Sequence, residues 1–293
     1  MKMNVMAGLM ALLLCVPAAG IAAETIVSTD WLEANLSKVT VVDIRKVEDY
    51  RAGHVPAAIN AYYGAWVRSK EGLQNELPLD EALREILSAT GIEPETRVVV
   101  VGSAASVGEN ANVTRVAWTL KYAGVDNAAI LNGGFEKWVA DRKPVSKDVV
   151  KLKDKPYRGK LNKAASYLVS KEELLNSIGK AVIVDARESD FYSGAKKAAF
   201  VDRPGHIQGA VSLAVSRAFN ADGTFKAPGE LEAMAGRAVG NDKTGEIILY
   251  CDSGRAASVW WYLLSESFGY QNVKLYDGSA QDFAKDPSAP MEK

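Results

Sequence analysis

The chain is poor in the residues that build covalent and metal frameworks. It has two cysteines, Cys15 and Cys251, and two histidines, His54 and His206, in 293 residues. A disulfide-stapled scaffold needs paired cysteines, and a zinc centre needs further ligands beside each histidine, so neither organises this molecule. Charge of one sign is lacking as well: 35 Lys and Arg stand against 36 Asp and Glu, a formal net charge of −1. That balance offers no electrostatic reason to bind nucleic acid or an anionic membrane surface. What is present is an ordinary globular composition, 48% hydrophobic and 24% charged, at a length that suits two domains better than one.

The first 23 residues differ in kind from the rest. Lys2 is followed by an uncharged apolar run over residues 5–16 and then by small residues, PAAGIAA, at 17–23. This pattern predicts a signal peptide over residues 1–23, cut near Ala22 or Ala23, and a periplasmic or secreted product with no membrane association after cleavage. An uncleaved anchor is the alternative, because the run approaches spanning length. Cleavage would remove Cys15 and leave Cys251 as a single thiol in an oxidising compartment, unable to form an internal disulfide.

Cys251 sits in the most informative stretch, residues 246–258 (EIILYCDSGRAAS). Residues 247–250 are a short apolar run of the kind that forms a fully buried parallel strand. Gly254 permits a tight backbone, and residues 256–268 read as a helix. A strand, a tight loop and a helix start bring successive backbone N–H groups to one point, which favours an anion there. Cys251 is therefore expected to be a reachable nucleophile held as thiolate, its charge accepted by backbone donors from Asp252, Ser253, Gly254, Arg255 and Ala256. A buried structural cysteine is the competing reading.

The rest of the chain alternates strands and helices. Buried strands are expected at residues 39–44, 97–101 and 128–131, and helices at 79–90 and 113–123. Residues 141–166 hold nine Lys or Arg against three Asp and few apolar residues, which reads as a solvated extended linker. Beyond it the first half recurs. Residues 181–187 (AVIVDAR) echo 39–45 (VTVVDIR), residues 205–211 (GHIQGAV) echo 53–59 (GHVPAAI), and LYDG at 275–278 echoes LNGG at 131–134. Four landmarks in one order, with the 247–250 strand matching 98–101, indicate a tandem duplication. Each copy is expected to be α/β, a mostly parallel sheet with helices on both faces and ligands beyond the strands' carboxyl ends. At the position of Cys251 the first copy has Gly102.

These residues resemble the rhodanese family, in particular its tandem-domain sulfurtransferases. The likeness rests on Asp43/Arg45 and Asp185/Arg187, on Gly53/His54 and Gly205/His206, on the Cys-x-x-Gly loop at Cys251, and on the NGGFEKW run at 132–138. It implies a non-catalytic N-terminal domain (24–142), a linker (143–165) and a catalytic C-terminal domain (166–293). It also implies a Cys251 persulfide that carries sulfur from thiosulfate or a related small donor to a thiophilic acceptor. That acceptor would be a small molecule or a thiol-bearing protein, and no cofactor or metal would take part. Asp185, Arg187 and His206 would support the loop. The pattern departs from the thiosulfate-specific members at Asp252 and Ser253, where those carry basic residues, and at Phe191, where they carry Arg. Arg255 is the expected compensation, with Arg203 or Arg217 approaching from neighbouring loops. A non-catalytic sulfur carrier is the alternative. A Cys-dependent phosphatase is less consistent, because its loop would end in Arg where Ala257 stands.

Overall fold

In the computed structural model, which describes residues 24–150, 152, 155–161 and 167–293, the expected duplication appears as two parallel sheets. The expected signal segment lies outside the described residues. The first sheet has five strands in the spatial order Ile26–Val27, Ala128–Leu131, Val98–Val101, Thr40–Asp43 and Ile59–Asn60, each pairing parallel. In the second, Val273–Leu275, Ile247–Tyr250, Val182–Asp185 and Val211–Ser212 follow the same order. A parallel bridge from Leu168 to Leu275 takes the place of the outermost strand.

The middle strands explain themselves. Val98–Val101 is four consecutive valines and Ile247–Tyr250 is IILY, and every residue of both is buried. β-Branched side chains suit a pleated strand covered on both faces, and parallel crossovers provide that cover. The carboxyl ends of these two strands, at Val101 and Tyr250, aim Gly102 and Cys251 at equivalent points.

Three boundaries differ from expectation. The helix predicted over 113–123 runs from Val107–Tyr122, because the Ser106 side chain accepts the Glu109 N–H and starts it earlier. The helix predicted over 256–268 is α-helical over Ala257–Tyr262 and continues as a π-turn over Leu263–Ser267, closed by Phe268 N–H donating to the Leu263 carbonyl. The described part of the expected linker is not solvated throughout. Tyr157 is buried against the first domain, its hydroxyl donating to the Ala123 carbonyl at 2.7 Å and its N–H to Ser88 Oγ at 2.9 Å.

The two halves share a core. Trp118, on the Val107–Tyr122 helix, meets Trp261 edge to face at 6.5 Å, and both are fully buried. Tyr262 reaches across to donate to the carbonyls of Thr25 and Ala128. Trp118 and Trp261 therefore belong to the contact between the two halves.

Candidate active site

The loop after Tyr250 is held from below before it can hold anything itself. The Tyr250 hydroxyl donates to Asp185 Oδ2 at 2.7 Å and accepts the Ile207 N–H at 3.0 Å, which pins the strand end. Cys251 N–H and Gly254 N–H both donate to Ser279 Oγ, at 3.2 and 2.9 Å, and the Cys251 carbonyl accepts the Ala280 N–H. Gly254 is required where it stands. Its φ is +73°, and a Cβ would lie 2.6 Å from Asp277 Oδ1.

Around this frame the N–H groups of Ser253, Ala256 and Ala257 face the Cys251 sulfur and favour its ionised form. Of the five expected donors, Ser253 and Ala256 face the sulfur and Ala257 joins them, whereas the Gly254 N–H is taken by Ser279 Oγ. The expected thiolate at neutral pH is not supported. Burial pushes the Cys251 thiol up, the Asp252 carboxylate pushes it further, and the three backbone donors only partly offset them. The thiol is 3% exposed, yet it lines a cavity of about 340 Å³ with Arg187, Phe191, Phe200, Val215 and Arg255. It is a recessed atom on a cavity wall, neither open to solvent nor sealed in a core.

The other expected site residues separate into groups. Asp252, Ser253, Arg255 and Ala256 line the cavity, while Gly254 shapes the loop. Arg187 clamps Asp185 through Nε and Nη2 and donates to the Gly205 carbonyl at 2.7 Å, and Arg45 repeats this on Asp43 and Gly53. Arg187 does more than brace, because it also faces the cavity with Nη1 3.5 Å from Asp252 Oδ1. Burial opposes its charge, but the hydrogen bonds and charge of Asp185 hold its pKa well above the ordinary value. His206 stacks on Tyr192 at 3.8 Å and its Nδ1 donates to the Tyr192 carbonyl at 2.8 Å; His54 does the same with Tyr50. Both histidines brace the chain away from the sulfur.

Two expected approaches fail. Arg203 donates to the carbonyls of Ala284, Asp286 and Ala289, tying down the C-terminal segment, and Arg217 is exposed; neither lines the cavity. Sequence reasoning also missed Ser279, Asp277, Arg115 and Asn75. Only Arg115 left a signal, a lone charge in the apolar stretch VTRVAWTL at 113–120 that proves fully buried.

Two copies of one parallel unit, with a backbone cradle around sulfur in just one of them, define a tandem-domain protein with one thiol site among the described residues. The rhodanese-like domain family model matches twice, at residues 28–141 and 170–286, and the chain belongs to that family. A relative from Mycolicibacterium smegmatis described as "Putative thiosulfate sulfurtransferase" is 32% identical over 282 residues, covering 92% of this chain and 98% of the relative. The "Sulfur carrier protein TtuD" of Thermus thermophilus is 29% identical over 287 residues, covering 92% of this chain and 97% of its own. Among solved structures, the EanB Y353A variant in complex with ergothioneine superposes with a TM-score of 0.80 at 22% identity. It covers 92% of this chain and 70% of that one, a likeness of fold.

Proposed function

We propose that this protein is a sulfurtransferase working through a persulfide on Cys251. The observation that carries the reading is a cysteine on a cavity wall with three converging backbone N–H donors. Cys251 gives its proton to solvent, and the minority thiolate so formed attacks the outer sulfur of a sulfane donor such as thiosulfate. A bond forms between the two sulfurs, the donor's sulfur–sulfur bond breaks, and sulfite leaves with the bonding pair. An acceptor thiolate then attacks the outer sulfur of the persulfide and releases Cys251 as thiolate, so two easier steps replace one and no net oxidation occurs at the protein. The N–H groups of Ser253, Ala256 and Ala257 stabilise the negative sulfur in both steps. Asp252, Ser253, Arg255 and Ala256 form the donor's contact surface, with Asp185 and His206 supporting the loop from outside it.

A carrier role that receives sulfur from a partner protein is the second reading. Its support is Asp252, an acid beside the sulfur that disfavours an anionic donor. Export under the residue 1–23 signal belongs to the same proposal, and N-terminal sequencing of protein recovered from the exported fraction tests it.

Intact mass after incubation with thiosulfate, 3-mercaptopyruvate or polysulfide decides the chemistry. The protein is expected to gain one sulfur atom and Cys251→Ala none. Uptake by Cys251→Ala, or none by the parent from any donor, overturns the proposal.

A further inference from the structure

The Cys251 loop is finished by the domain that lacks the cysteine. Arg115, on the Val107–Tyr122 helix of the first domain, has a fully buried side chain. Its Nη1 donates to the Gly254 carbonyl at 3.1 Å and to Asp277 Oδ1 at 2.5 Å, and its Nη2 donates to the Asn75 carbonyl at 2.7 Å. Asn75 in turn donates from Nδ2 to Ser253 Oγ at 2.9 Å, from a backbone held at φ +56°. The neighbouring Leu77 N–H donates to Asp277 Oδ2 at 2.8 Å, and Gln74 exchanges two hydrogen bonds with the Gln281 side chain. Burial opposes the guanidinium charge, but Asp277 more than offsets it, so Arg115 is a permanent cation.

Gly254 is thus pinned at both ends, its N–H by Ser279 of its own domain and its carbonyl by Arg115 of the other. A trans peptide points its carbonyl and the next N–H in opposite directions, so holding the carbonyl fixes the plane of the 254–255 peptide. The donors on either side of that peptide, Ser253 N–H and the pair Ala256 and Ala257, are the ones that reach the sulfur. Arg115 itself stays outside the cavity lining, so its removal leaves the burial of the thiol in place.

We propose that Arg115, through its fork onto Gly254, Asp277 and Asn75, is a positioning residue that aims the loop's N–H donors at Cys251. The first domain, without a thiol of its own, is then an obligate part of the site. The kinetic half of this inference rests on the persulfide reading above; the alkylation half does not.

The test uses the full chain and two variants. Arg115→Met combined with Asp277→Asn removes both charges, so neither is left buried alone. Arg115→Lys keeps a cation opposite Asp277 but loses the fork that serves three acceptors. Iodoacetamide alkylation of Cys251, read by intact mass from about pH 6 to about pH 11, gives the apparent thiol pKa without any sulfur donor. Asp252, Arg187, Glu188, Arg255 and Tyr63, which face the sulfur or line its cavity, are unchanged in both variants. Each variant is expected to raise the apparent pKa by about one unit and to slow sulfur loading about tenfold, with the donor KM within about twofold. Profiles that superpose on the parent's while only the melting temperature falls overturn the proposal. Should the neutral double variant not fold, Arg115→Lys decides on the same readout. Should the parent take up no sulfur, the proposed function falls while the alkylation profiles still decide this inference.

Discussion

The loops at Gly102 and Cys251 share a backbone plan and spend it differently. In each, the carbonyl of the first residue accepts an N–H from the following strand–helix corner, that of Phe135 for Gly102 and of Ala280 for Cys251, at 2.9 Å in both. In the first loop the Ala104 N–H and the Ser103 hydroxyl donate to the two oxygens of Glu136, each at 2.8 Å. The anion is a carboxylate tethered to the same domain. In the second loop the corresponding kind of donor is left for sulfur. A cradle of peptide dipoles needs a negative atom, and whether that atom can react depends on whether it is a side-chain carboxylate or a thiol.

The crossing contacts are reciprocal as well. Leu77 of the first domain donates to Asp277, and Phe225 of the second donates to Asn132, the residue at the matching corner. Yet the antiparallel pair Arg68–Lys70 and Leu73–Glu76 brings Asn75 to the serine of the Cys251 loop, whereas Gly223 lies over the first loop, where a Cβ would lie 2.6 Å from the Ala104 carbonyl oxygen. Both copies are braced and both keep a cavity, about 160 Å³ beside the first loop with Arg45 and Ser103 in its wall, and about 340 Å³ beside Cys251.

The comparison can be broken most forcefully at the duplicated ion pairs. Asp185→Ala leaves Arg187 buried without its carboxylate and is expected to cost about 3–5 kcal/mol, read by chemical denaturation. Asp43→Ala should cost nearly as much, since Arg45 makes the same fork; a large difference would show that only one pair is structural. Gly102→Cys tests whether a thiol alone restores a site. Its Cβ would lie 2.6 Å from Val113 Cγ1, so a loss of about 1–3 kcal/mol is expected. No sulfur should load at that position by peptide mapping, because Glu136 already occupies the donors. The smallest effect is expected at Asp252→Asn. Removing the charge that pushes the Cys251 thiol up lowers its pKa and moves the rise of alkylation with pH to lower values. At neutral pH the rate should increase by about threefold to tenfold. An unchanged profile would mean that burial alone sets the thiol.

The sequence made the fold legible because its signals are local. Four-residue apolar runs, glycines at turns and the doubled DxR and GH pairs are read without knowing what lies across the molecule. Cys251 was legible for the same reason, as a cysteine at the end of such a run. Its protonation state was not. The N–H donors are implied by loop and helix, but the burial that outweighs them comes from the cavity walls and the shared core, which no local pattern encodes. Likewise Arg203, expected from its loop to approach a donor, faces backbone carbonyls some eighty residues away.

What the chain determined by itself is the repeat, the parallel sheets and the position of the one candidate nucleophile, since side-chain periodicity and turn chemistry act over a few residues. What only the tertiary structure decided is how that sulfur is held. Hydrogen bonds from Arg115 to Gly254 and from Asn75 to Ser253 join residues 139 and 178 positions apart, and contacts that distant exist only once two cores have packed into one.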